Sequence, residues 1–238
     1  MILFKGPSVL DPATRIVVIA TGFDRPSANQ KTGGMLQVYT LVESLHPMDA
    51  IRVGLVSAIC GDCPLIGDIC YLQIHKDINK VYNCYKRGGY RYVESIEEIE
   101  HLFFNKRVRL GAYGDPAAIP GFIIEAILKY AKAYTSYTHN GQYNPVVAEL
   151  SQASVESAKQ AKDWQAKGYK TFRIKLDSEP LVEDEIACPN EKRPDIQCRD
   201  CLLCDGQKAN IAVNVHGAKS KVMAFEKYKK ALSNLENI

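Results

Sequence analysis

The chain has 238 residues, of which 46% are hydrophobic and 24% are charged. These fractions are typical of folded globular proteins and exclude a chain that is disordered throughout. The formal net charge of +3 is too small to indicate a nucleic-acid surface by itself. The longest apolar runs fall far short of the ~20 residues that cross a bilayer, and the first residues do not resemble a signal peptide. We therefore expect a cytoplasmic protein without membrane association.

Apolar runs alternate with amphipathic segments along the chain, a pattern that is typical of α/β proteins. In chain order, the pattern predicts β-strands at 15–20, 35–42, 52–58, 107–112, 133–138, 149–153, 170–176, 185–187 and 210–215. It predicts helices at 95–104, 121–131, 154–167 and 218–235. Ser95 is the expected N-cap of the first of these helices, because an acidic turn follows it.

The order of these elements predicts the fold class. About five or six parallel strands between residues 52 and 216 are fewer than the eight of a complete β/α barrel. We therefore predict an α/β fold with a partial, open parallel β/α barrel over residues 51–238. Residues 1–50 are too few to hold a core of their own and are interpreted as an N-terminal β extension. In such folds the loops after the carboxyl ends of the strands carry the chemistry.

Four of the eight cysteines lie close together near the end of the chain. Cys188, Cys198, Cys201 and Cys204 have the spacing C-x9-C-x2-C-x2-C. A chain of this length does not depend on disulfides, so short-spaced cysteines indicate metal or redox chemistry. Four thiolates at these spacings fit either tetrahedral zinc or an iron–sulfur cluster, and overlapping C-x2-C steps occur in ferredoxin-type sequences.

A second group of cysteines, Cys60, Cys63 and Cys70, has the spacing C-x2-C-x6-C. Three thiolates suit a 4Fe–4S cluster with one iron open to a small ligand, or a zinc ion completed by a histidine or water. Cys84 has no partner at ligand spacing and is interpreted as a packed side chain. The other seven cysteines are therefore predicted to bind iron–sulfur clusters, with zinc as the alternative.

Four further residues follow predicted strands and are expected at the same face as the cysteines: Gly114, Asp115, His139 and His216. A glycine allows close approach to the backbone. Asp115 either caps the helix that follows or binds a cationic amine. Each histidine either ligates a metal, transfers a proton or is structural. These residues predict a site for a small-molecule ligand at the strand-end face.

Several motifs occur in an order that resembles a family of phage proteins known as gene product 88, whose function is not settled. They are Lys31-Thr32-Gly33, Cys70-Tyr71, Tyr137-Thr138-His139, Cys188-Pro189, the run from Cys198 to Cys204, and His216-Gly217. The resemblance covers about residues 31–217. It implies a phage-encoded protein that works in the cytoplasm of the host cell.

A three-cysteine loop, followed by a strand that ends in Gly114-Asp115-Pro116, resembles the core of radical S-adenosylmethionine enzymes. The resemblance implies a partial barrel, a 4Fe–4S cluster on the three cysteines, and Asp115 against the amino group of the cofactor. The spacing C-x2-C-x6-C departs from the C-x3-C-x2-C of that family. We therefore expect an iron–sulfur protein with a redox or electron-transfer role on a radical-enzyme-like scaffold, while enzymatic activity stays open.

The alternative function is a zinc-stapled, non-catalytic protein that binds a host protein or nucleic acid. Its motivating feature, besides the cysteines, is a stretch at 80–92 in which Tyr82, Tyr85, Tyr90 and Tyr92 alternate with lysines and arginines. Such a stretch is either a stacking surface for single-stranded nucleic acid or an ordinary solvated loop, and the loop is favoured.

Overall fold

Two five-stranded β-sheets form the framework of the computed structural model, which describes residues 1–236. The strands, in chain order, are β1 (Ile2–Pro7), β2 (Arg15–Thr21), β3 (Leu36–Val42), β4 (Arg107–Tyr113), β5 (Ala133–Thr135), β6 (Tyr137–Thr138), β7 (Gln152–Val155), β8 (Thr171–Lys175), β9 (Glu185–Ala187) and β10 (Asn210–Asn214). The mixed α/β class predicted from the sequence is confirmed.

The helices lie between and after these strands. They are α1 (Pro47–Arg52), α2 (Ser57–Cys60), α3 (Asn79–Lys86), α4 (Ile96–Phe103), α5 (Gly121–Leu128), α6 (Pro145–Glu149), α7 (Ala158–Ala166), α8 (Pro189–Lys192), α9 (Cys198–Cys201) and α10 (Lys219–Glu236), with a π-helix at Ile74–Ile78 and 3₁₀ turns at Pro116–Ala118 and Gly141–Tyr143. None of the helices within residues 1–236 is long and apolar enough to span a lipid bilayer.

The first sheet has the strand order β1-β2-β3-β4-β5 and is mixed. Its first three strands pair antiparallel, and β3, β4 and β5 pair parallel. Strands β2 and β3 consist almost entirely of buried residues, which requires cover on both faces of the sheet. The strands of the N-terminal 50 residues thus lie in one sheet with β4 and β5, while the predicted domain boundary at residue 50 stays a prediction.

The second sheet has the order β6-β7-β8-β10-β9 and is parallel throughout. Only Ser136 separates β5 in the first sheet from β6 in the second. The amide of Ser136 donates to the carbonyl of Cys204 at 2.9 Å rather than to a neighbouring strand. The strand predicted over 133–138 is therefore divided in two, and a cysteine-bearing loop is attached at the point of division.

Helices α4 and α5 cover the first sheet and complete its core. Ser95 caps α4 as predicted, since its side chain accepts from the amide of Glu98 at 3.2 Å. The buried face of α4 presents Ile99 and Phe103 to the sheet, and α5 buries Ile124 and Ile127. This spacing of three to four residues places the apolar side chains of each helix on one face.

The predicted strand at 52–58 is wrong. Residues 47–52 form α1, a turn follows with Gly54 at φ +83°, and α2 begins at Ser57. Pro47 at the first helical position and the His46 side chain, which accepts from the amide of Met48, start α1. A short apolar run does not distinguish a buried strand from a buried helix, and here the local start signals favour the helix.

Two other segments differ from their predictions. The strand expected at 149–153 begins at Gln152, because α6 extends to Glu149 from a start capped by Asn144. The segment 74–86, predicted without regular structure, contains the π-helix and α3. In α3 Tyr82 is buried and its ring packs edge-on against His46 at 5.2 Å, so tertiary packing stabilises a helix that its composition did not predict.

A buried ion pair fixes the edge of the second sheet. Arg173 on β8 reaches past β10 to Glu185 on β9, and both side chains are fully buried. Its guanidinium donates two hydrogen bonds to the carboxylate, from Nε at 2.8 Å and from Nη2 at 2.7 Å. Because β9 leads directly into Cys188, this pair determines where the second cysteine loop begins.

We expect Arg173→Met and Glu185→Gln each to lower the free energy of unfolding by about 3–5 kcal/mol, since each leaves a buried charge without its partner. The double variant Arg173→Met/Glu185→Leu is expected to lose less than the sum of two single changes. Urea unfolding measures all three. Arg193→Met removes an exposed pair with Asp195 and is the matched control, with an expected loss below about 1 kcal/mol. Equal losses of unfolding free energy in Arg173→Met and Arg193→Met would show that the buried pair with Glu185 has no special importance for stability.

Candidate metal centre

The three-cysteine loop begins in a helix and not, as predicted, after a strand. Cys60 is the last residue of α2, and Cys63 and Cys70 lie in the turns that follow. The loop nevertheless lies at the carboxyl end of β4, because the amide of Asp115 donates to the carbonyl of Ile59 at 2.6 Å. The expected juxtaposition of these cysteines with the end of β4 therefore occurs through a different local structure.

Asp115 connects the segments around this loop. It is buried, and one carboxylate oxygen accepts from the amide of Ala117 at 2.9 Å and from the Thr138 hydroxyl at 2.7 Å. The other oxygen accepts from the amide of His139 at 2.9 Å and from the Asn140 side chain at 2.7 Å. Of the two roles predicted for Asp115 the structure has the capping role, at the 3₁₀ turn Pro116–Ala118 and not at the longer helix α5.

Asn140 extends the network to the cysteines. Its amide nitrogen donates to the carbonyl of Cys60 at 2.9 Å, and its oxygen accepts from the amide of Asp62 at 2.8 Å. Gly61 packs so closely against Asn140 that a Cβ at this position would lie 2.2 Å from the amide oxygen. We call Asp115, Thr138, Asn140 and the Cys60 carbonyl the Asp115 network.

Gly114 was expected to allow a ligand close to the backbone. Its φ is +78°, and a Cβ there would lie 2.9 Å from Cβ of Thr40 and 3.3 Å from the carbonyl of Ile59. The close approach that requires glycine is therefore made by β3 and α2 of the chain itself.

The three thiols lie near one another and near His139. Burial raises the pKa of the Cys60 thiol well above its ordinary value, and Cys63, Asp115 and Cys70 add to the increase. Burial also raises the pKa of Cys70. The His139 ring hydrogen-bonds the Glu156 carboxylate at 2.7 Å, and the Cys63 thiol lies beside it. Burial lowers the pKa of His139, but the neighbouring Cys63 and Glu156 outweigh it and hold the pKa well above its ordinary value.

The second cysteine group is brought together on one cavity. Cys188 follows β9, Cys198 and Cys201 lie in α9, and Cys204 follows Leu202, whose φ is +53°. All four line one cavity, together with Thr135 and Ile211 from the two sheets. Burial raises the pKa values of the Cys188 and Cys198 thiols, and that of Cys204 to about 12.

Two contacts attach this loop to the rest of the chain. The amide of Arg199 donates to the carbonyl of Lys31 at 3.1 Å, and its guanidinium donates to the carbonyl of Gly33 at 3.2 Å. The Lys31-Thr32-Gly33 motif therefore packs against the second cysteine group. Tyr137, from another of the motifs, lies beside the Cys204 thiol and lowers its pKa against the larger effect of burial.

The two cysteine groups are linked through β4. Nη2 of Arg109 donates to the hydroxyl of Tyr71 at 3.0 Å, next to Cys70, and its charge lowers the pKa of Cys198, against the larger effect of burial. His216 lies on the same side, with its ring centroid 6.4 Å from that of Tyr71, but it is exposed and its Nδ1 lies 2.9 Å from the carbonyl of Asn214.

The side chains are not preset for a metal ion. Over residues 1–236, no three His, Cys, Asp or Glu side chains stand in an arrangement that could hold one as they are. The donor chemistry does fit a thiolate-bound metal, because four soft ligands line one cavity and three more lie near one another, two of them near the His139 imidazole. Binding would therefore require these thiols to turn toward a common centre.

Sequence reasoning missed Asn140 and Glu156. Asn140 directly follows the predicted residue His139, and nothing in its sequence neighbourhood indicates that it bonds a loop 80 residues earlier. Glu156 directly follows β7, so the strand-end rule would have selected it if β7 had been placed correctly.

The tyrosine-rich stretch does not form a continuous stacking surface. Tyr82 is buried, and Tyr85 is half-buried beneath the ammonium group of Lys5, 4.9 Å from the ring centroid. Tyr92 is exposed. Stacking of single-stranded bases requires aromatic faces that are open to solvent, so this stretch gives little support to a nucleic-acid partner.

Comparisons with protein-family models, curated proteins and solved structures find no match to this chain. The geometry of the residues is therefore the basis for a functional conclusion.

We expect Asp115→Asn to lower the free energy of unfolding by about 3 kcal/mol or more, because its amide nitrogen would face buried donors. Asp11→Asn is the matched control, since Asp11 also accepts from the amide two residues on, at 3.2 Å, but near the surface. The control is expected to lose less than about 1 kcal/mol. Urea unfolding compares the two variants. An Asp115→Asn protein as stable as wild type would show that the Asp115 network does not stabilise the fold.

Proposed function

We propose that this protein binds iron–sulfur clusters through seven cysteines, in a redox or electron-transfer role. One ligand set is Cys60, Cys63 and Cys70, and the other is Cys188, Cys198, Cys201 and Cys204. The motifs shared with the gene product 88 family support a phage-encoded protein that works in the cytoplasm of the host cell.

The observation that carries the proposal is the convergence of the second group on one cavity. Its four cysteines extend over 17 residues and come from the residue after β9, from α9 and from the turn after α9, yet all four line the same cavity. Buried free thiols have no physical reason to collect in this way, whereas a thiolate-bound metal requires it. The overlapping C-x2-C steps from Cys198 to Cys204 favour an iron–sulfur cluster over zinc.

We further propose that the two sheets are parts of a partial, open β/α barrel. Parallel pairing runs from β3 through β4 to β5 and from β6 through β9. Because only Ser136 separates β5 from β6, the two parallel sets are nearly continuous. This arrangement supports the radical-enzyme-like scaffold without reproducing its cofactor site.

Cleavage of S-adenosylmethionine is not part of the proposal. The carboxylate of Asp115 accepts four hydrogen bonds from the chain itself, so both of its oxygens are engaged. The space beside Gly114 is likewise filled by Thr40 and Ile59. Neither residue is left for an amino group, and any small-molecule ligand at this face would bind elsewhere.

A zinc-stapled, non-catalytic protein is the second candidate. The contact between His139 and Cys63 favours it, because three cysteines and one histidine are a common ligand set of structural zinc. Zinc would stabilise the folded loops without redox activity, and a host protein or nucleic acid would then be the partner.

Anaerobic purification followed by iron and sulfide analysis separates the two candidates. We expect the wild-type protein to carry iron and labile sulfide and to show visible absorption that dithionite bleaches. Cys201→Ser is expected to lose a large part of both, because it removes one thiolate from the four-cysteine group. Cys84→Ser is the matched control, and we expect it to retain the full content, since Cys84 belongs to neither group. A colourless wild-type protein with stoichiometric zinc and no sulfide would replace the proposal with the second candidate.

A further inference from the structure

The imidazole of His139 lies between a thiol of the first cysteine group and a buried carboxylate. Nε2 of the ring is 2.7 Å from Oε1 of Glu156, whose side chain is only 2% exposed. The thiol of Cys63 lies beside the same ring. Of the two ring nitrogens, the contact with Glu156 occupies Nε2 and leaves Nδ1 as the nitrogen that can bind a metal ion.

Glu156 is fixed in its position by contacts on its own backbone. Its amide donates to the side-chain oxygen of Gln160 at 2.9 Å, at the start of α7. Its carbonyl accepts from the ammonium group of Lys229 on α10. The backbone of Glu156 is thus held from two sides, and its buried carboxylate faces His139.

The backbone of His139 is fixed relative to the cysteine loop. Its amide donates to the carboxylate of Asp115, and the next residue, Asn140, bonds the carbonyl of Cys60. The backbone of His139 and the start of the cysteine loop are therefore attached to one buried carboxylate. This arrangement places His139 next to the residue that carries the first thiol of the group.

We propose that His139 is the fourth protein ligand of the metal at Cys60, Cys63 and Cys70, and that Glu156 is the positioning residue that orients its ring. Histidine ligands of metals usually donate their second ring N–H to a carboxylate, and such partners fix the tautomer and the ring orientation. The inference rests on the proposed metal binding at this loop and adds that the site is closed. Four protein ligands leave no position on this metal for a substrate or for S-adenosylmethionine.

Cobalt(II) titration of the metal-free full-length protein tests the proposal. Thiolate-to-cobalt charge-transfer absorption reports how many thiolates bind, and competition with a chelator reports affinity. We expect Glu156→Gln to weaken cobalt binding at this site about 10–100-fold, the usual cost of losing such a partner. His139→Ala is expected to weaken it at least as much. His139→Cys is expected to keep the affinity and to increase the charge-transfer absorption by one thiolate.

His216→Ala is the matched control, since His216 also follows a strand but is exposed and bonded to the carbonyl of Asn214. It is expected to bind cobalt like wild type. If His139→Ala does not fold, His139→Cys tests whether His139 is a ligand. This variant keeps four ligands and changes only the cobalt charge-transfer spectrum.

Three results would overturn the inference. Wild-type affinity and spectrum in His139→Cys and Glu156→Gln would exclude His139 as a ligand while leaving metal binding by the cysteines intact. No cobalt or iron bound by the wild-type protein would instead remove the proposed function itself. Selective fast alkylation of Cys63 by iodoacetamide in a protein that binds no metal would make Cys63, His139 and Glu156 a nucleophile with its base.

Discussion

The buried carboxylate of Asp115 is the group on which the arrangement of the first cysteine loop depends. It accepts hydrogen bonds from the turn after β4, from the last residue of β6 and from the two residues after it, and through Asn140 it reaches the backbone of Cys60 and Asp62. These segments are far apart in the sequence, so only a multivalent acceptor can hold them together. A carboxylate with two oxygens suits this role, because each oxygen accepts two hydrogen bonds.

The second cysteine loop is held by a different kind of constraint. The Arg173–Glu185 ion pair fixes its start, the bond from Ser136 to the carbonyl of Cys204 fixes its end, and Arg199 ties its middle to residues 31–33. The cavity lined by the four cysteines lies between these attachments, where Thr135 and Ile211 bring the two sheets close. A ligand in this cavity would therefore connect the cysteine loop with both sheets.

The two groups differ in what surrounds their thiols, and this difference implies different roles. The first group lies near the imidazole of His139, which in turn bonds the buried carboxylate of Glu156. A nitrogen ligand for a metal ion is therefore present beside the thiols. The second faces the hydroxyl of Tyr137 and the guanidinium of Arg109, which are hydrogen-bonding and charge-compensating groups. Cationic and hydroxyl donors stabilise thiolate charge, as a cluster of net negative charge requires.

The sequence by itself determined the elements whose signals are local. The β-branched run in β2, the Ser95 cap of α4 and the cysteine spacings identify strands, a helix and ligand sets because each depends only on neighbours along the chain. The tertiary structure decided the rest. Asp115 accepts hydrogen bonds inside the chain, Asn140 bonds the carbonyl of Cys60 and Glu156 pairs with His139, through contacts between residues 17 to 80 positions apart. Hydrogen bonds and packing over such separations leave no periodic signal in the sequence, since any polar residue of suitable size could make them.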